Sequence, residues 1–362
     1  MKPRSLRTAT CAAILCAAAA ASALAQPRAQ TSAPPQAPTP HPTAWRASTP
    51  AEEALDDAAF RPLTSVLVTE FTDVDSAVVV LRGRVVYRFY RDGEPDKLRD
   101  TQSASKSALS ALLGAAMVQG RIASVDQRVV DLVPEWAPLN TDPRAATITL
   151  RHLLTLTAGF SLSNDPLTRA GTSAPLPARE AWARPLRADP GQAFAYDNSV
   201  TPLLVAVLEK TTGMPLADYA QQQLVGPMGF AEPRYRGSIV HLRTLDMAKL
   251  GQLYLQRGEW DGKPLVAPAF ADASVQAQSA GGPPVGLRYG YLWWVVPGNA
   301  ARPTFMASGY GGQFIWVHPA MDLVVAATST VSPESGQRGQ ALQWIRTALF
   351  AAAQRRLAAE PQ

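Results

Sequence analysis

The chain has 362 residues, of which 47% are hydrophobic and 17% charged, with a formal net charge of +5. That composition supports a large buried core, as one domain or two closely packed parts, and excludes a disordered polymer. Both cysteines, Cys11 and Cys16, fall in the first 25 residues, and His41, His152, His241 and His318 lack HxH, HxxxH or HExxH spacing. Disulfides, a thiol nucleophile and a zinc hydrolase are thereby set aside, and no metal or organic cofactor is expected.

The first stretch, "MKPRSLRTATCAAILCAAAAASALA", runs from a basic start through an Ala-rich apolar segment to Ala23-Leu24-Ala25. This is the pattern of a secretory signal peptide cleaved after Ala25. The segment is too short and too weakly apolar for a spanning anchor, so no stable membrane insertion is expected after cleavage. Neither cysteine sits where a lipoprotein site requires one. Cleavage removes Lys2, Arg4 and Arg7 and no acid, leaving a nearly neutral chain without a basic run; nucleic acid is not an expected partner. The expected location is periplasmic.

Residues 26–50, rich in Pro, Ala, Ser and Thr, read as an extended linker. A single domain is expected over 51–362. Helical patterning starts at "AEEALDDAAF", and "SAVVVLRGRVVYRFY" (76–90) reads as a hairpin turning at Arg82-Gly83-Arg84. From about 103 to 279 the pattern is mostly helical, in "ITLRHLLTLTAG", "TPLLVAVLEKTTG", "PLADYAQQQLVGPMG" and "LRTLDMAKLGQLYLQRG", each with a glycine stop. Strand patterns return in "YGYLWWVV" (289–296), "TFMA" (304–307), "GQFIWVHP" (312–319) and "DLVVAATST" (322–330), before a last helix, "GQALQWIRTALFAAAQRRLA". The order predicts an α+β fold: one antiparallel sheet from both termini (about 51–102 and 280–362), flanked by helices, with a helical part (about 103–279) inserted.

Three short segments carry candidate chemistry. In "TQSASKSALSALLGAAMVQG" (101–120), Ser103 and Lys106 are three apart at a helix start, within reach of each other. A serine hydroxyl needs a base, and a lysine in an Ala/Leu-rich setting can serve if burial lowers its pKa. The competing reading is a helix start with serine caps and a solvated lysine. In "DPGQAFAYDNSV" (189–200), Tyr196 and Asn198 follow a Pro-Gly turn and can project from one loop; the alternative is a plain turn capped by Asn198, Ser199 or Thr201. In "ASGYGGQFIWVHP" (307–319), Ser308-Gly309 ends a strand, where glycines allow close approach of a ligand or simply form a turn. "GEWDGKP" is one residue short of a phosphate-binding loop and reads as a turn at Asp261-Gly262; there is no GxSxG elbow. Trp293 and Trp294 alternate, so at most one faces a cleft and the other packs in the core.

In order and with their flanks, "SASKS", "ITLRHLLTLTAGF", "PGQAFAYDN", "TLDMAKLGQLYLQRGEWDGKPLV", "YGYLWW" and "SGYGGQFIWVHPAMDLVV" resemble the penicillin-recognising serine hydrolases, in the branch of class C β-lactamases, over about 60–350. The resemblance implies a β-lactamase/transpeptidase-like fold, with Ser103 as acylated nucleophile, Lys106 as base and Tyr196 as proton relay. It implies Asn198, Ser308, Gly309 and Tyr310 as substrate contacts, and an oxyanion hole from the backbone N–H groups of Ser103 and Tyr310.

One position departs from the family pattern: Ala307 stands where Lys or His precedes Ser/Thr-Gly. That cation would pair with the carboxylate of a β-lactam or D-Ala-D-Ala peptide, a contact worth about 1.5–3 kcal/mol. Weak β-lactamase activity is therefore expected. The Ala-Ser-Gly-Tyr form looks more like the 6-aminohexanoate-dimer hydrolase and serine esterase branch, with a small amide or ester as substrate. The alternatives are a true β-lactamase or D-Ala-D-Ala carboxypeptidase, and a non-catalytic penicillin-binding-like module that recognises cell-wall peptide. Specificity is expected in the loop 161–188.

Overall fold

The protein is described from a computed structural model, over residues 45, 47–161, 176–298 and 301–354. The expected signal peptide and most of the linker lie outside the described residues, as does 162–175 of the expected specificity loop.

The organising element is an eight-stranded antiparallel sheet. Its strands are β1 (Val74–Leu81), β2 (Arg84–Tyr90), β3 (Ser279–Gly282), β4 (Leu287–Tyr289), β5 (Trp294–Val295), β6 (Phe305–Gly309), β7 (Gln313–His318) and β8 (Leu323–Ser329), in spatial order β2-β1-β8-β7-β6-β5-β4-β3. The N-terminal hairpin joins the C-terminal strands through β1 and β8, with Val78 opposite Ala326 and Val80 opposite Val324. Arg82 and Gly83 both have positive φ, 49° and 72°, which matches the right-handed twist of the strands they connect.

Val78, Val79, Val80 and Leu81 are all fully buried, so β1 is covered on both faces and reads as a continuous apolar run. The helix Thr244–Leu255 lies on one face. A Cβ on its Gly251 would come within 2.7 Å of Ile315 and Val324 and 3.2 Å of Val317, so only glycine lets this helix sit so close. On the other face Trp316, which alternates with Ile315 and Val317, meets Phe350 of the C-terminal helices edge-on at 5.8 Å, and Trp344 is fully buried. The sheet from both termini, the flanking helices and the helical insertion match the expected α+β, β-lactamase/transpeptidase-like fold.

One expected strand divides. "YGYLWWVV" contains the end of β4 at Tyr289 and the start of β5 at Trp294, joined by a tight turn in which Gly290 N–H donates to Trp293 O and Leu292 has φ of 62°. A Cβ on Gly290 would lie 2.0 Å from the Ser274 carbonyl oxygen, so only glycine fits this turn. Alternation therefore does not set the two tryptophans; the turn does. The helix expected over 148–159 is also short, Leu150–Leu154. Asp261 and Gly262, with φ of 49° and 72°, form the expected turn of a small hairpin.

Candidate active site

The chain enters the site through the short strand Arg99–Asp100. Asp100 accepts hydrogen bonds from Gln102 N (2.9 Å) and Gln102 Nε2 (2.9 Å), holding Gln102 at φ of 50° immediately before Ser103. The helix α1 (Ser105–Val118) follows a single 3₁₀ turn, Gln102–Ala104.

"SASKS" offers three serines, and their surroundings separate them. Ser105 Oγ bonds to Thr101 Oγ1 at 2.8 Å and accepts from Val240 N at 3.0 Å. Ser107 Oγ donates to the Leu292 carbonyl at 2.7 Å. Both are buried and engaged in holding α1 in place. Ser103 is only half-buried, and its hydroxyl faces Lys106, whose Nζ donates to Ser103 Oγ at 3.1 Å. No side chain caps the start of α1, so serine capping is not what this segment does.

Lys106 is buried, at 6% exposure. Its Nζ donates a second hydrogen bond to Asn198 Oδ1 at 2.9 Å and lies 5.0 Å from the centre of the Tyr196 ring. Among the described residues no carboxylate pairs with it. An amine held beside a serine hydroxyl by neutral acceptors is an arrangement for base-assisted attack by that hydroxyl.

The loop bearing Tyr196 and Asn198 is shaped by Asp197 between them. Asp197 Oδ1 accepts from Ser199 N at 2.9 Å, ahead of the helix α2 (Val200–Thr212), so the local turn is closed by Asp197 and not by Asn198, Ser199 or Thr201. Asn198 is thereby left to Lys106. Asp197 Oδ2 accepts from Arg184 Nη2 at 2.6 Å. Tyr196 stacks on Trp294, with ring centres 5.8 Å apart and 14° between planes, and Trp294 meets Tyr289 edge-on at 4.6 Å. Burial, with Tyr196 nearby, drives the Tyr289 phenol well above its usual pKa, so Tyr289 stays protonated. Trp293 instead is fully buried against Tyr254 (4.7 Å) and Phe305 (5.2 Å).

The third segment reaches the site through Gly309. A Cβ there would lie 2.4 Å from the Thr101 carbonyl and 3.0 Å from Gln102 Cβ, so the end of β6 abuts the residues just before Ser103. Ser308 is half-buried and Tyr310 exposed, on either side of this contact. Ala307 pairs with Ile315 in the sheet and is 1% exposed, a buried methyl on the face that packs against the Thr244–Leu255 helix. The fold thus gathers Ser103, Lys106, Tyr196 and Asn198 directly, and brings Gly309 with its neighbours Ser308 and Tyr310 to the edge of the same site.

Arg184 and Asp100 had no functional signal in the sequence pattern. Asp197, the acid between Tyr196 and Asn198, was a hint that was there to read, and the Trp293-Trp294 pair left open which of the two faces the cleft. A cavity of about 500 Å³ lined by Asn140, Asp142, Arg144, Ala183 and Pro185 contains none of the site residues, and the converging polar groups are the better guide to the chemistry.

The β-lactamase family model matches residues 67–241. Among curated proteins, esterase EstB of Burkholderia gladioli is 26% identical over 179 residues, covering 43% of this chain and 45% of that protein, so the match spans less than half of EstB. A solved structure from Bacillus anthracis assigned as a 6-aminohexanoate-dimer hydrolase aligns with a TM-score of 0.65 at 20% identity, over 81% of each chain. A penicillin-binding protein homologue from Caulobacter crescentus aligns with a TM-score of 0.63 at 16% identity, over 82% of this chain and 97% of that one.

Proposed function

We propose that this chain is a penicillin-recognising serine hydrolase, an exported enzyme that cleaves a small amide or ester through an acyl-enzyme on Ser103. Lys106 takes the proton from Ser103 Oγ as that oxygen attacks the substrate carbonyl. Tyr196 carries the proton on to the leaving amine or alcohol, and Asn198 holds both Lys106 and the substrate. The backbone N–H groups of Ser103 and Tyr310 receive the carbonyl oxygen as it becomes negative. Water then attacks the acyl group, regenerating Ser103. Ser308, Gly309 and Tyr310 form one wall for the substrate.

The observation that carries this reading is the position of the Lys106 amine, 3.1 Å from Ser103 Oγ and 2.9 Å from Asn198 Oδ1, beside the Tyr196 ring. The choice of a neutral amide or ester rests on Ala307. A buried methyl at the place of the family's cation offers nothing to a substrate carboxylate.

A panel of p-nitrophenyl esters, aminohexanoate amides and nitrocefin, assayed on one preparation alongside a fluorophosphonate probe, tests the proposal. Labelling of the wild type and not of Ser103→Ala is the expected result. Absence of labelling by both the fluorophosphonate and a fluorescent penicillin would sink it.

A further inference from the structure

Arg184 is 13 residues before Asp197 in the chain, yet the two form a buried ion pair, with side chains only 10% and 7% exposed. We propose that Arg184 is a positioning residue for the reaction, holding the Tyr196–Asn198 turn against Lys106 through Asp197. This rests on the acyl-enzyme reading above.

Three segments converge on the one guanidinium. Its Nε donates to Ala181 O at 3.0 Å, Nη1 to Ser161 O at 3.1 Å and Nη2 to Asp197 Oδ2 at 2.6 Å. The planar group also lies 5.1 Å from the centre of the Phe160 ring. A planar fork of fixed donors can serve three acceptors at once in a way a lysine ammonium on a flexible stem cannot. Around it the backbone is cross-tied: Ser161 N–H donates to Pro185 O at 2.8 Å, and Asn140 Nδ2 donates to Trp182 O and Arg184 O at 2.6 and 2.9 Å. Arg184 is therefore a fixed point.

Asp197 transmits that fixity. One carboxylate oxygen closes the turn onto Ser199 N and the other is tied to Arg184, so the residue between Tyr196 and Asn198 is restrained in both position and rotation. Neither charged residue touches Ser103 or Lys106 by any hydrogen bond in the described structure. Their effect on the reaction passes through the 2.9 Å contact of Asn198 Oδ1 with Lys106 Nζ and the placement of the Tyr196 ring. Replacing a buried ion pair by apolar residues of similar volume is often neutral for stability, so the role assigned to this pair is the geometry it imposes.

The test compares Arg184→Lys, Arg184→Met and the double variant Arg184→Met/Asp197→Leu, which leaves no charge stranded. Two quantities are read: the rate of fluorophosphonate labelling at Ser103, and the split of ester hydrolysis into kcat and KM. A displaced catalytic group costs about a hundredfold in rate, so the folded double variant should lose tenfold to a hundredfold in kcat and labelling rate, with KM within about threefold. Arg184→Lys should recover part of the loss. A crystal structure of the double variant should show Asn198 moved away from Lys106.

A double variant that melts cooperatively and labels at the wild-type rate would overturn the proposal. So would a structure in which the Asn198–Lys106 contact is unchanged, even if the wild type proved inactive towards every probe. The structural readout thus separates failure of this inference from failure of the acyl-enzyme reading.

Discussion

Lys106 Nζ and Asn198 Oδ1 lie 2.9 Å apart, which joins the start of α1 to the loop before α2 across the floor of the site. Both ends of this bond are fixed by other contacts. Ser105 and Ser107 anchor α1 on either side of Lys106, and Asp197 anchors the loop beside Asn198. The bond is consequently the consequence of two frameworks meeting, and the predictions below probe each of them.

Two buried lysines distinguish a chemical from a structural amine. Lys106→Ala should lower kcat by about a hundredfold or more while the protein stays folded, as expected for loss of a general base. Lys249 Nζ donates to the carbonyls of Met228 (3.0 Å) and Gly229 (2.6 Å) and lies 3.3 Å from Asp246 Oδ1. Lys249→Ala should instead cost stability, about 3 kcal/mol in thermal unfolding, with activity per folded molecule retained. Equal losses of activity in the two variants would count against Lys106 as base.

Nitrocefin, whose carboxylate meets a methyl at Ala307, should be turned over at least tenfold more slowly in kcat/KM than a neutral p-nitrophenyl ester. The figure follows from the about 1.5–3 kcal/mol carried by a charge-assisted contact. Fast nitrocefin hydrolysis would refute the role given to Ala307.

Gly309→Ala places a methyl 2.4 Å from the Thr101 carbonyl and 2.9 Å from Gln313 Cβ. The end of β6 must then retreat from the residues before Ser103, at a cost of about 1–3 kcal/mol. Activity should fall more than stability, because the retreat also disturbs the oxyanion hole proposed from the Ser103 and Tyr310 N–H groups. Comparing melting temperature with the fluorophosphonate labelling rate checks this; a loss of labelling that merely tracks the fraction folded would speak against it.

His152 should make the protein less stable in mild acid. Its Nδ1 accepts from Thr149 N at 3.1 Å, a bond available only to the neutral ring, and burial together with Arg151 holds its pKa below 6.5. The unfolded chain therefore binds the proton first. Stability is full above about pH 6.5 and declines as pH falls from there to the lower folded pKa, then levels off. His318, lowered by burial, acts with the same sign. Melting temperatures between about pH 7.5 and 5 should fall less steeply for His152→Gln than for the wild type; parallel curves would exclude the contribution.

The hairpin at Arg82-Gly83 and the Ser103–Lys106 pair were legible in the amino-acid sequence, since each depends on residues near one another in the chain; for the two termini the sequence indicated a shared sheet but not the order of its strands, which pairs β1 with the distant β8. A helix brings positions three apart onto one face whatever surrounds it. The division of "YGYLWWVV" was not legible, because it depends on the Ser274 carbonyl pressing on Gly290 from a distant segment. The apolar run is the same with or without that contact.

What the sequence by itself determined is the class of fold and the juxtaposition of Ser103 with Lys106, through periodicity, turn residues and local spacing. Which of the three serines is left facing Lys106, which tryptophan stacks on Tyr196, and what steadies the turn of Asn198 were decided by tertiary structure alone. Each depends on burial and on partners remote in sequence: Val240 for Ser105, Leu292 for Ser107, Tyr254 and Phe305 for Trp293, and Arg184 for Asp197. A hydrogen-bonding or charged side chain acquires its role from the partner that meets it when water is excluded, and that partner is set by how the chain packs.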